Sequence, residues 1–321
     1  AGSGFVNQIE AIASAGLTSG CNPPDNDRFC PDAPLTRAEM ATFLWRAHDQ
    51  PSPGTASRLV AAGDIARCEL DADELTAGLL DELFATTNGV VAALGDTVYD
   101  DGSAVQFRDC YDGSWGRHRF RTRPAVGNHE YRTKGASGYY GYFGPAAGDP
   151  DEGYYEYELN GWQVIVLNSN CDQVGGCHSG SAQQAWLDDV LASSPSSCEI
   201  VYMHHPRFSS GPHGDNGELA DLWATLEFHN VELALAGHDH HYERLAPMTH
   251  TGEVSVDGVR SFVVGTGGTW LRTTGTPRTG SELVIEGAHG VLSLDLEDTG
   301  YDWRFIDAAG NVRDAGTGSC G

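Results

Sequence analysis

Five short apolar runs recur along the chain without alternation: Leu59 to Ala62, Val90 to Leu94, Pro124 to Val126, Ile200 to Met203 and Val231 to Ala236. Continuous runs of Val, Ile, Leu and Ala predict strands buried on both faces. Each run leads into a polar cluster: in order, Gly63-Asp64, Gly95-Asp96-Thr97-Val98-Tyr99, Gly127-Asn128-His129-Glu130, the histidine His204, and Gly237-His238-Asp239-His240. Metal-type side chains that repeatedly appear where a buried strand ends predict a site along one edge of a sheet. Helical stripes lie between the runs. Leu75, Leu79, Leu80, Leu83 and Phe84 mark one, and Trp186, Leu187, Val190 and Leu191 follow a Ser181/Gln184 helix start. Leu219, Leu222, Trp223 and Leu226 mark a third. These stripes read as core packing. Tyr154 to Leu159 and Gln163 to Leu167 predict a hairpin turning at Asn160-Gly161. From Gly258 on, shorter alternating segments such as Arg260 to Val264 and Val291 to Leu296 predict a second sheet. Strands alternating with helices make the fold class α/β.

Ahead of this body, the Pro- and Gly-containing stretch 50–57 reads as a linker. Residues 1–49 before it predict a small helical unit. Ile9, Ile12, Ala13 and Leu17 fall at helical spacing, and Thr36-Arg37-Ala38-Glu39 forms a capping box before Met40, Phe43, Leu44 and Ala47. Ala15 to Gly20, Phe29-Cys30-Pro31-Asp32 and Thr36 to Glu39 together resemble an S-layer homology repeat. That resemblance implies a module able to hold a cell-wall polymer, although such repeats commonly act in sets of three. The expected division is therefore a module over 1–49, a linker over 50–57 and a catalytic domain over 58–321.

Charge narrows the partners. Lys and Arg number 19 against 45 Asp and Glu, for a formal net charge of -26. Such a negative potential disfavours nucleic acid and anionic membranes as partners. No stretch approaches the roughly 20 apolar residues of a transmembrane helix. The chain opens at Ala1 without a signal-peptide pattern, so it reads as a processed or truncated form. Eight cysteines lack the paired C-x-x-C spacing of structural zinc sites, and an even set predicts disulfides and an oxidising, extracytoplasmic compartment, secreted or wall-associated. Short loops suggest Cys21 with Cys30 and Cys171 with Cys177. Cys68 with Cys110 and Cys198 with Cys320 follow by elimination, among the many pairings that eight cysteines allow.

The five clusters resemble, in order and type, those of the calcineurin-like metallophosphoesterase superfamily, and among its branches the purple acid phosphatases. The similarity covers residues 58–321 and extends through Gly237-His238-Asp239-His240-His241-Tyr242-Glu243-Arg244. Most of the superfamily opens with Asp-x-His, whereas this chain has Asp64-Ile65-Ala66; the purple branch supplies Tyr99 instead. The resemblance implies a four-layer α/β/β/α sandwich of two sheets. It also implies two metal ions: Fe(III) held by Asp64, Tyr99 and His240, and a divalent Zn, Fe or Mn held by Asn128, His204 and His238, with Asp96 bridging. Phenolate and carboxylate oxygens suit a trivalent ion.

What such a centre implies is hydrolysis of small phosphomonoesters by direct attack of a metal-bound hydroxide. Catalytic roles fall to His129, near the phosphate, and to His213, a candidate proton donor to the leaving group; Asn128, His129 and His213 would contact substrate. His205 and His241 flank ligands and are expected to point away from the site. Arg119 to Arg123 is the densest positive run, a solvated face or a phosphate attractor, and Lys134 to Phe143 is a candidate rim. Two other readings remain: a phosphodiesterase or nucleotide-cleaving enzyme with the same metal core, and a wall-associated binding protein with a structural metal site.

Overall fold

A computed structural model describes residues 58–196 and 198–320. The predicted helical unit over 1–49, the 50–57 linker and the Cys21–Cys30 pairing lie outside the described residues. The body is built on two mixed sheets. Sheet one has the order β15-β14-β13-β1-β3-β5. Its parallel half is β1 (Arg58–Ala62), β3 (Gly89–Leu94) and β5 (Thr122–Ala125). Antiparallel β13 (Gly290–Glu297), β14 (Gly300–Asp307) and β15 (Val312–Ser319) extend it, with Val60 opposite Ser293. A two-stranded ribbon, β2 (Ala66–Arg67) with β4 (Val98–Tyr99), continues from β1 and β3.

Sheet two has the order β12-β10-β11-β9-β8-β7-β6. It comprises the hairpin β6 (Tyr155–Leu159) and β7 (Trp162–Val166), then β8 (Glu199–Tyr202) and β9 (Leu233–Ala236), then β10 (Tyr242–Met248), β11 (Val259–Val264) and β12 (Ser281–Ile285). Asn160 and Gly161 turn the hairpin with φ of 54° and 82°, the left-handed pair that a two-residue turn needs.

Alternation along sheet two explains the layering. Val164, Val166, Ile200, Tyr202, Leu233, Leu235, Phe262 and Val264 share one core with sheet one. Their neighbours Ile165, Val201, Ala234 and Val263 face the other way, onto Leu187, Val190 and Leu191 of α3 (Ala182–Ala192) and Leu222, Trp223 and Leu226 of α4 (Ala220–Phe228). On sheet one, α1 (Ala72–Leu83) contributes Ala77, Leu79 and Leu80 to the core, and α2 (Ser137–Phe143) buries Tyr139, Tyr140 and Phe143. Two sheets with helices on their outer faces make the α/β/β/α sandwich.

Several expectations change. The tail forms no sheet of its own: Arg260 to Val264 pairs beside β9, whereas Val291 to Leu296 pairs with β1. Alternating strands suit either half-covered sheet, so pattern alone could not assign them. Leu75 is 57% exposed, because Thr76 takes the inward position and bonds the Gly267 carbonyl at 2.5 Å. The Arg119 to Arg123 run is neither solvated face nor phosphate trap. Arg121 is buried against the Phe84 and Phe120 rings, and Arg119 lies over Tyr142. The aromatics of Lys134 to Phe143 are mostly packing. Disulfides join Cys68 to Cys110, Cys171 to Cys177 and Cys198 to Cys320. No helix among the described residues is long and apolar enough to cross a membrane.

Candidate metal centre

The polar clusters do not line one sheet edge; they meet where the two sheets abut. Asp64, Asp96 with Tyr99, and Asn128 with His129 follow β1, β3 and β5 of sheet one, while His204 and His238 to His240 follow β8 and β9 of sheet two. Backbone bonds stitch the loops together. Ile65 donates to the Asp96 carbonyl, Gly63 to Val264, Gly267 to Gly63, and Gly237 to His204, at 2.9–3.0 Å. Asp64, Asp96 and His238 hold positive φ of 60°, 47° and 69°, a conformation that costs non-glycine residues and recurs at functional sites. Two glycines permit the approach. A Cβ on Gly127 would lie 2.2 Å from the Asp96 nitrogen and carboxylate, and one on Gly237 would lie 2.7 Å from Asp64 Oδ2.

Two sets of donors result, with Asp96 between them. In the first, the Tyr99 hydroxyl lies 2.7 Å from Asp64 Oδ1, 3.0 Å from Asp96 Oδ2 and 3.3 Å from His240 Nε2, and His240 Nε2 lies 3.2 Å from Asp64 Oδ1. In the second, His204 Nε2 lies 3.0 Å from Asn128 Oδ1, 3.2 Å from His238 Nδ1 and 3.4 Å from Asp96 Oδ1. Asp96 thus offers one oxygen to each set. All seven side chains expected as ligands are brought together.

Second contacts orient the rings. His204 Nδ1 bonds the Leu94 carbonyl at 2.8 Å, and His240 Nδ1 bonds the Trp270 carbonyl at 2.6 Å. A carbonyl only accepts, so each Nδ1 carries a hydrogen and each Nε2 faces the cluster, the orientation usual for metal-binding imidazoles. Fully buried Glu130 ties two site loops together by accepting from the nitrogens of Asp96, Thr97 and Gly127 at 2.8–3.0 Å. Burial and the Asp96 charge push its carboxyl up to about 7.

Electrostatics fit a cation. Burial lifts the Asp64 carboxyl, but His240 and His204 more than offset it and hold it below the usual range. Burial opposes charge on His204, yet the Asp96 and Asp64 carboxylates carry its pKa up to about 9. Burial, then both carboxylates, push the Tyr99 phenol well above its ordinary value. A cation between these groups would act in the opposite sense on the phenol. Two buried carboxylates, a phenol, an amide oxygen and three imidazoles are a donor set that fits hard and borderline metal ions. Among the described residues, two trios bring their ligand atoms within 4.8 Å of one another: Asp64, Asp96 and His204, and His204, His205 and His238.

The remaining expected residues lie at the mouth. His129 bonds the Asp100 carbonyl through Nδ1 at 2.6 Å and turns Nε2 to within 3.8 Å of Asp96 Oδ2. His213 packs on the His238 ring at 4.1 Å between centroids, its Nδ1 held by Asp239 at 2.7 Å. Asp239 was not singled out as a functional residue by pattern, although it sits inside the His238/His240 cluster. His241 is buried on Glu243, as expected. His205 is not turned away: its ring stands 4.3 Å from that of His238, with Nδ1 on the Ser169 hydroxyl at 2.9 Å. β8 ends at Tyr202, so strand alternation no longer governs His205. Trp270 and Arg272 were also missed; the signal was Gly267-Gly268 after the apolar β11 run, the same strand-end pattern as elsewhere.

Known proteins share this architecture. An uncharacterized protein of Mycobacterium tuberculosis, Rv2577, is 29% identical over 180 residues, covering 48% of this chain and 34% of that protein. The chain thus spans about a third of the length of that relative. Among solved structures, purple acid phosphatase PPD1 from yellow lupin (Lupinus luteus) seeds superposes with a TM-score of 0.70 at 18% identity, over 84% of this chain and 55% of that one. GAP50, described as the anchor in the inner membrane complex of Plasmodium, gives 0.67 at 14% identity, over 83% and 90%. PhoD gives 0.55 at 11%, over 84% and 70%. At these identities the likeness is one of fold. The profile of the Calcineurin-like phosphoesterase family matches residues 57–242, which includes every cluster of the centre, and the chain belongs to that family.

Proposed function

We propose that residues 58–321 form an extracytoplasmic, dinuclear metal-dependent phosphatase of small phosphomonoesters, of the purple acid phosphatase type. The observation that carries this reading is Asp96, whose two carboxylate oxygens face two separate donor sets. Asp64, Tyr99 and His240 would hold one ion, expected to be ferric, and Asn128, His204 and His238 a divalent one. When bound, such a pair supplies Lewis-acid charge for the phosphoryl oxygens and a water of lowered pKa. The protein's own groups do the rest. Buried Glu130 fixes the loops that carry Asp96 and Asn128, and the His129 ring stands beside Asp96 where a phosphate oxygen would lie. His213 is held by Asp239 at Nδ1 and has Nε2 3.2 Å from Arg272 Nη1; a guanidinium only donates, so His213 would protonate the leaving oxygen as the imidazolium, with Arg272 turned to the substrate.

GAP50, an anchor by description, has the same fold, so fold alone does not carry catalysis. The complete ligand set favours the enzyme over a binding protein. The three disulfides among the described residues support an oxidising compartment. The test is side-by-side hydrolysis of a chromogenic phosphate monoester and its diester by metal-replete protein, with a chelator-treated control. Metal-dependent preference for the monoester is expected. Preference for the diester would replace the phosphatase with a phosphodiesterase, and no turnover of either would favour the binding protein.

A further inference from the structure

We infer that the organic part of the substrate is planar and aromatic, an aryl or nucleobase-bearing group, and that it stacks on Trp270; the inference rests on the phosphatase reading above and names its substrate class. Among the described residues, Trp270 is a large apolar side chain with 58% of its surface exposed, and the one such side chain whose backbone bonds a candidate metal ligand. Its segment is fastened to the centre at three points. The Trp270 carbonyl accepts from His240 Nδ1 at 2.6 Å, the Thr269 nitrogen donates to the Asp64 carbonyl at 2.9 Å, and the Arg272 nitrogen donates to the His240 carbonyl at 2.9 Å. The indole is therefore held at the mouth by the same strand ends that carry the ligands.

Its neighbours define what it can take. The Arg67 guanidinium lies over the ring at 3.9 Å from the centroid, is bonded to Asp100 at 2.5 Å, and stands 5.5 Å from the Tyr99 ring. A cation thus backs the indole and links it to the metal-facing phenol, while more than half of the side chain stays open. Arg272 Nη1, 3.2 Å from His213 Nε2, adds a second guanidinium beside the candidate proton donor. Arg67 is paired with Asp100 and Glu69 and only backs the ring, so in a chain of net charge -26 it is Arg272 and the exposed indole around one opening that match a ligand with an anionic end and a flat π-face. A preordered aromatic ring gives stacking area at low entropic cost. Such stacking typically changes binding by about tenfold or more.

The test compares wild type with Trp270→Ala and Trp270→Phe on 1-naphthyl phosphate, glycerol 2-phosphate and a hexose phosphate, each variant referred to wild type so that leaving-group ability cancels. Trp270→Ala should lower kcat/KM for the naphthyl ester about tenfold, mainly through KM, with both other esters changed less than about twofold, and Trp270→Phe should restore most of the loss. Equal losses on all three esters, loss confined to the hexose phosphate, or no loss would overturn the inference. Calorimetric binding of phenylphosphonate against ethylphosphonate to the metal-replete protein needs no turnover. If wild type hydrolyses nothing, the phosphatase reading fails, and the stacking inference still stands or falls on whether Trp270→Ala erases a preference for phenylphosphonate.

Discussion

Asp96 carries more of the centre than any other residue. It is buried, held at φ 47°, and stands between Tyr99 on one side and His204 on the other. On the proposed two-ion reading, Asp96→Ala should weaken both ions, whereas Asn128→Ala should weaken one. Metal content per chain after dialysis checks this, and loss of a single ion in Asp96→Ala would contradict it. On the proposed reading Asp96→Ala also loses at least about a thousandfold in turnover, the scale expected when electrostatic stabilisation of the transition state is removed. The seven side chains that meet at the centre were all legible in the sequence: the apolar runs located the clusters, and the resemblance to the purple acid phosphatases supplied the proposed ligand set. His205 was not, because the rule of opposite-facing neighbours holds only inside a strand, and β8 has already ended. Trp270 and Arg272 were not, because neither residue type marks a metal site and only the folded chain brings them to the mouth.

The element that most affects catalysis on this account is the loop carrying His213. It is pinned onto the turn after β9. Ser209 Oγ donates to Asp239 Oδ2 at 2.5 Å, Ser210 gives its nitrogen and hydroxyl to Glu243, and a Cβ on Gly211 would lie 2.3–2.6 Å from the Asp239 carboxylate. Asp239 therefore acts as a positioning residue for His213. Asp239→Asn keeps the shape but loses the acceptor charge that holds the ring, and should lower kcat about 10- to 100-fold with KM and metal content nearly unchanged. The loss should be larger for an alkyl phosphate than for a nitrophenyl phosphate, whose leaving group needs no proton. Equal losses on both would remove His213 as the acid. Helices and buried strands were readable from periodicity, but which sheet each C-terminal strand joins was not. β11 and β13 carry similar alternation, and only long-range pairing with β9 and β1 separates them.

At the scale of the molecule, the centre exists only while the two sheets stay in register. The Cys198–Cys320 disulfide joins the start of β8 to the end of β15 across 122 residues. Replacing both cysteines by Ala should cost about 2–4 kcal/mol and lower Tm by roughly 5 °C or more, read by thermal unfolding. An unchanged Tm would mean that the shared core alone fixes the sheets. The four-layer plan followed from the resemblance, while the meeting of sites from two sheets did not follow from strand-end logic. That logic assumes a single open sheet.

The most direct test of a two-ion phosphoesterase centre is a metal titration. Chelator-stripped protein would be loaded stepwise while bound metal and phosphate release from an aryl monophosphate are followed together. Activity should be absent in the stripped protein and rise to a plateau at two equivalents, with none recovered by Asp96→Ala. Activity that survives stripping, or that saturates at one equivalent, would contradict the two-ion centre.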